Sequence, residues 1–228
     1  MHKREALVFQ TAPSFPDAPR FPYAKQQADE FLLALGVRAL PFPLADALRA
    51  LGVRIFPYTE FARVFHVPLA RVIRAWQSRE GRILVHEADG TRFLVYNDLC
   101  TCPERIRWTI AHEIAHLLFG HLRDYRTGQL ARAPKESRAV IEREAHACAA
   151  ELLAPACILF ASGATTIPRI HDASGISWKA AFKRAHLFER IPGPYYFNDA
   201  ELQLCRNFCD FIRACRQKNA RTGSLFPA

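Results

Sequence analysis

Residues 105–121 read RIRWTIAHEIAHLLFGH and residues 142–155 read EREAHACAAELLAP. The first stretch carries His112, Glu113 and His116 in the order HExxH. On an α-helix, residues four apart lie on adjacent turns of one face. His112 and His116 can therefore aim imidazole nitrogens at one point about 2.0–2.1 Å from each, the length of a zinc–imidazole bond. Glu113 is rotated about 100° from His112, which sets its carboxylate beside the metal, where it can hold a water. Two histidines can also sit in a core with no metal, but the context argues for the ion. Ile106, Ile110, Ile114 and Leu117 form one apolar side, while Trp108, Phe119 and the histidines occupy another. Such a helix is buried nearly all round, where imidazoles and a carboxylate are costly unless paired or metal-bound. The reading is one zinc per chain, held by His112 and His116, with Glu113 as the catalytic acid-base.

A catalytic zinc takes a third protein ligand and keeps the fourth position for water. The second stretch offers Glu142, Glu144 and Glu151. Glu142, His146, Ala149 and Leu153 follow helical spacing and form a face that permits close helix packing. Glu144 and Glu151 have the ordinary reading of solvated helix carboxylates.

Together the two stretches resemble the ImmA/IrrE family of metallo-endopeptidases, which is similar to the thermolysin-type gluzincins. The resemblance extends over roughly residues 24–190 and implies a metal set of His112, His116 and Glu142, with Glu113 as acid-base. It further implies a protein substrate, a DNA-binding repressor of helix-turn-helix type, cut in bacterial stress responses or mobile-element control. One departure stands out: the Asn or Asp usual after the alanine is His146 here. That side chain can steady a ligand by a hydrogen bond, approach the metal, or fill space. The expected chemistry is metal-assisted amide hydrolysis. For the oxyanion donor, His86, Tyr96, His121 and Tyr125 are equally arguable. The strand 93–96 is a candidate for pairing with an extended substrate.

The rest of the chain fits a folded protein of 228 residues, half of them hydrophobic. No run reaches the roughly 18–20 uninterrupted apolar residues of a membrane span, and residues 1–21 lack the apolar core of a secretory signal. A cytoplasmic location is the expectation. The seven cysteines read as free thiols, since neither Cys100/Cys102 nor Cys205/Cys209 has a zinc-ribbon or thioredoxin spacing. A net charge of +9 suits nucleic acid, an anionic surface or an acidic protein, although the arginines are scattered and read mainly as a solvated face.

Prolines at 13, 16, 19 and 22 mark an extended arm over residues 1–22. Helices are expected at about 24–35, 44–51 and 69–77, with a strand at 53–58. Two further strands, 82–86 and 91–96, are joined by the Asp89–Gly90 hairpin signal. Thr101 and Glu104 stand three apart as a capping box for the motif helix, which runs to Gly120. A second long helix spans about 136–153. Shorter helices at 167–173 and 177–188, joined at Ser174–Gly175, are similar to a helix-turn-helix pair and equally to two core helices around a turn. A last amphipathic helix, 198–218, buries Leu202, Cys205, Cys209, Ile212 and Cys215. The fold class is α+β: a zincin-like metallopeptidase core (23–160) with a small antiparallel sheet packed on helices, plus a helical C-terminal extension (161–218) and a loose tail (219–228). The competing function is a non-catalytic, zinc-containing DNA- or repressor-binding protein. An intact Glu113 weighs against it, because a structural zinc site has no use for that carboxylate.

Overall fold

The computed structural model describes residues 16–76, 81–86, 89–121, 134–190 and 194–223. Most of the proline-rich segment expected to form an arm, and Tyr125, lie outside these residues. Helix α1 (Phe21–Ala34) starts with Pro22 in its first turn and closes before Gly36, whose φ of 63° suits a residue without a side chain. Next come α2 (Leu44–Ala50), β1 (Val53–Pro57), α3 (Tyr58–Val64) and α4 (Leu69–Trp76), then β2 (Gly81–Val85) and β3 (Arg92–Tyr96). The motif helix is α5 (Pro103–Leu118) and the second long helix is α6 (Lys135–Leu153). Five shorter elements follow: α7 (Ala156–Ala161), α8 (Ile167–Ser174), α9 (Trp178–Glu189), α10 (Asp199–Asn207) and α11 (Cys209–Gly223).

The architecture is α+β, with a three-stranded sheet in the order β1-β3-β2. The β2–β3 hairpin is antiparallel as expected, but β1 joins the other edge of β3 in parallel, so the sheet is mixed. The reason is connectivity: α3 and α4 carry the chain from β1 to β2, which runs opposite to β1, and the hairpin reverses it once more, so β3 runs in the same direction as β1. With β3 in the centre, both of its edges are used. The expectation that strand 93–96 pairs with substrate is therefore corrected, because the outward edges belong to β1 and β2.

Side chains alternate across β3. Leu94 enters the main core with Ile83 and α5, while Val95 faces the other way onto Tyr58 and Val72 from α3 and α4. Helix α6 lies between α1 and α5, and small residues such as Ala145, Cys148 and Ala149 are fully buried there. By length and composition residues 135–161 are apolar enough to cross a membrane, yet 72% of their most apolar 18-residue stretch is buried inside the protein, as in a core helix. The same core continues through Ile170, Ala181, Ala185, Leu204, Phe208 and Ile212.

Three local readings are corrected. Helix α5 is capped by extended Cys102 with no side-chain bond, because Pro103 disfavours helical geometry at the residue before it. The last helix is two, broken at Phe208, and it buries Glu201, Leu204, Phe208 and Ile212 while Leu202 and Cys209 are exposed. The phase is set by Glu201, which accepts from Asn198 N and Tyr195 Oη and pairs with Lys25 at 2.6 Å. Finally, Glu144 and Glu151 are not solvated. Glu144 is fully buried, and Glu151 lies against Arg184 at 2.6 Å and accepts from Ala156 N, because α6 is covered on more than one side.

Candidate metal centre

Close packing of α5 on α6 brings Glu142 over the HExxH turn. His112 Nε2 lies 3.1 Å from His116 Nε2 and 3.1 Å from Glu142 Oε2, and His116 Nε2 lies 3.7 Å from Glu142 Oε1. Donors at zinc–nitrogen and zinc–oxygen bond lengths around one tetrahedral ion are separated by roughly 3.3 Å, so these three edges bracket the value an ion would require. The electrostatics agree with the donor set. Burial holds the His116 imidazole down to about 3, leaving its lone pair available. The hydrogen bond from His112 holds Glu142 down to about 2 against the cost of burial, so it is a carboxylate.

His146 stands on the same face of α6. Its donor atom falls within 4.8 Å of those of His112 and Glu142, and these three residues also form a group able to hold an ion. Its ring is stacked on Trp108, with centroids 5.7 Å apart, and sits 4.7 Å from the His112 ring.

Glu113 projects from α5 toward the sheet. Its Oε2 accepts from Ile83 N at 2.8 Å. Burial pushes its carboxyl up, while the His112 charge and this backbone bond pull it down. His86 N donates to Thr91 O at the hairpin. Antiparallel alternation therefore turns Ile83 N away from β3, toward the outward edge of β2. The motif helix thus meets the sheet at that edge.

Gly81 permits this approach. A Cβ there would sit 2.9 Å from Thr109 Cγ2, 3.0 Å from Val95 O and 3.1 Å from Tyr96 Cα. Two of these atoms are backbone and cannot yield, and Thr109 is one turn before Glu113. Gly81→Ala is expected to push β2 off α5, lowering stability by about 1–3 kcal/mol and weakening the bond at Glu113. Thermal unfolding of Gly81→Ala with and without Thr109→Ser checks this. A variant as stable as the parent would show that β2 does not depend on the contact.

Behind His116 runs a chain of bonds that the sequence reading missed. His116 Nδ1 lies 3.0 Å from His121 Nδ1, and His121 Nε2 lies 3.1 Å from Glu144 Oε2. Glu144 in turn accepts from Arg20 N, Nε and Nη2 at 2.9, 2.7 and 3.0 Å. For Glu144, burial would raise the pKa, but the Arg20 and His121 bonds outweigh it and bring the carboxyl down. A carboxylate at one end fixes both tautomers. His121 must donate from Nε2 to Glu144, so its Nδ1 accepts, and His116 must donate from Nδ1, which leaves His116 Nε2 unprotonated and facing Glu142. His112 is held differently, its Nδ1 being buried with no hydrogen-bond partner among the described residues.

Residues 73–183 match the family model described as the IrrE N-terminal-like domain of a metallopeptidase family. Over these residues the chain belongs to the ImmA/IrrE metallopeptidases. No curated protein matches the chain. In this metallopeptidase the four oxyanion candidates now separate. His121 is buried between His116 and Glu144 and is committed at both nitrogens. His86 is paired with Asp89 at 2.8 Å on an exposed hairpin. Tyr96 is half-buried on β3, its pKa raised by burial, and Tyr125 lies outside the described residues.

Proposed function

We propose that this metallopeptidase is a zinc-dependent endopeptidase that cuts a protein substrate at a specific site, the substrate being a DNA-binding repressor of helix-turn-helix type, in the cytoplasm. The observation that carries the zinc and peptidase parts is the convergence of His112 Nε2, His116 Nε2 and the Glu142 carboxylate, with Glu113 beside them. Imidazole nitrogen and carboxylate oxygen are the donors of catalytic zinc sites with three protein ligands. In this reading His112, His116 and Glu142 hold the ion and His146 does not. His116 meets the His112–Glu142 pair from inside the helix packing, whereas the His146 ring lies against Trp108. The repressor and the location rest on the family likeness.

Zinc held there supplies Lewis acidity at the scissile carbonyl and lowers the pKa of water into the neutral range. Glu113 accepts the proton of the attacking water and returns it to the leaving amine, so one carboxylate serves as base and then as acid. The outward edge of β2, where Ile83 N meets Glu113, supports an extended substrate lying along β2 within reach of that carboxylate. A half-buried Glu113 held against β2 belongs to this reading and has no task at a purely structural zinc site.

Metal content tests the assignment. Protein purified without chelator is expected to hold about one zinc per chain. His116→Ala and Glu142→Ala lose it, and His146→Ala keeps it, each compared at equal folded fraction by mass spectrometry. Loss in His146→Ala with retention in His116→Ala would move the third ligand to the other triad. No metal in the parent even with zinc supplied would overturn the enzyme reading in favour of a binding protein.

A further inference from the structure

Beside the metal centre, and continuous with it through the Trp108–His146 stack, lies a cleft of about 610 Å³ between the start of α5 and the start of α9. Arg105, Arg107, Lys179 and Lys183 line it, and Glu104 is the only acidic residue among its lining. Neither Lys179 nor Lys183 has a carboxylate partner among the described residues. Arg107 donates from Nη1 to Phe42 O at 3.3 Å, while its Nε and Nη2 are buried with no hydrogen-bond partner among the described residues. With no carboxylate paired to it among the described residues, the field of this guanidinium adds to that of the lysines in the cleft. The first turn of α9, capped by Ser177, also lines the cleft and contributes the positive end of its dipole.

The adjoining outer face of α9 is aromatic. Trp178 and Phe182, one turn apart on one face, are 56% and 58% exposed. Large apolar side chains grouped this way beside a charged cleft mark a contact surface more than a solvated one. Lys179 and Lys183 stand next to them in the same turns, so cations and rings form one strip that ends at the candidate metal centre.

We infer that this cleft and the strip on α9 together receive an acidic segment of the substrate chain, its carboxylates in the cleft and its apolar side chains on Trp178 and Phe182. The inference rests on the peptidase reading. A peptide is favoured over nucleic acid because one wall of the cleft is His146, whose ring lies 4.7 Å from that of His112 in the proposed peptidase site, and because exposed apolar side chains on a helix match the alternating composition of a protein segment. Charge complementarity selects the acidic class.

The test is binding to zinc-loaded Glu113→Gln protein, which separates recognition from turnover. A random 12-residue peptide library is passed over immobilised protein and the bound pool sequenced. Asp and Glu are expected to be enriched at least threefold over the input, together with aromatic and aliphatic residues. Lys179→Glu/Lys183→Glu removes the acidic enrichment, and Phe182→Ala reduces the apolar one. Arg49→Glu/Arg213→Glu makes the same change in net charge at exposed sites on α2 and α11 and leaves both enrichments intact. A bound pool of input composition overturns the inference, as does acidic enrichment that survives the Lys179/Lys183 reversal or is lost equally in the control. A 20-base-pair DNA duplex that binds through Lys179 and Lys183, with peptide selection unchanged by their reversal, assigns the strip to nucleic acid and also overturns it. If the parent cleaves no peptide, the peptidase reading fails on its own account, and the binding comparison still decides this one.

Discussion

Glu113→Gln is expected to lower kcat/KM by at least roughly 10²–10⁴-fold while the variant keeps its metal and its fold. The side chain is isosteric, and its amide oxygen can still accept from Ile83 N, the bond that positions Glu113 against β2. His112, His116 and Glu142 are untouched, so zinc content should equal that of the parent. What the amide cannot do is take a proton from water and return it to an amine. The measurement is cleavage of a quenched-peptide library alongside metal content and melting temperature. Near-parental cleavage would remove Glu113 from the reaction. Loss of metal together with activity would mean that the residue supports the site and would not establish a chemical role.

Glu144→Ala should weaken zinc binding by about 10–100-fold, the usual effect of losing a partner that orients a metal-binding histidine. It should also destabilise the protein by about 3 kcal/mol, because a buried charged partner is removed. His121 is 1% exposed and Glu144 fully buried, so neither end of that bond can turn to water. Without the carboxylate, His121 no longer has to protonate at Nε2, and His116 is free to take the tautomer that places a proton where the metal should bind. Arg20 is half-exposed and can hydrate, so most of the effect falls on the histidines. Competition with a chelating dye reads the affinity. The melting temperature with and without zinc separates positioning from simple support, since a positioning role shrinks the zinc-induced rise as well as the starting value. Glu144→Gln, which can still accept from His121, should fall between parent and alanine. An unchanged zinc-induced rise in Glu144→Ala would show the chain to be structural only.

Much of the fold was legible because chain breaks are chemical. Gly36, Gly52 and Gly175 all adopt positive φ where a helix stops, and the helix boundaries read from them fall within a few residues of those observed. The Asp89–Gly90 hairpin was equally local. The parallel pairing of β1 with β3 was not, because nothing in Val53–Pro57 specifies which distant strand it meets. Periodicity placed Glu142 and His146 on one face of α6 but misjudged Glu144 and Glu151. A helical wheel reveals the face that packs on one neighbour, whereas α6 packs on α1 and α5 at once. The His121–Glu144–Arg20 chain escaped for the same reason, since its three members come from separate elements and meet only in the folded protein. A signal was available in the composition of α6. Its second half, with no Lys or Arg after Arg143, carries glutamates in surroundings too apolar for a solvated face.

The position of α1 governs how this molecule must fold. Ala24, Ala28 and Leu32 lose all contact with water in the folded chain, and α1 packs most extensively on α6, whose last residue, Leu153, is synthesised some 120 residues later. Helix α1 therefore lacks its most extensive partner until α6 has been synthesised. Long-range closures of this kind are slow relative to local helix pairing. The Arg20–Glu144 bond spans the same interval and leads to His116. Docking of α1 and completion of the candidate metal centre are therefore expected to belong to one late event, and refolding followed by α-helix content should run ahead of refolding followed by zinc uptake.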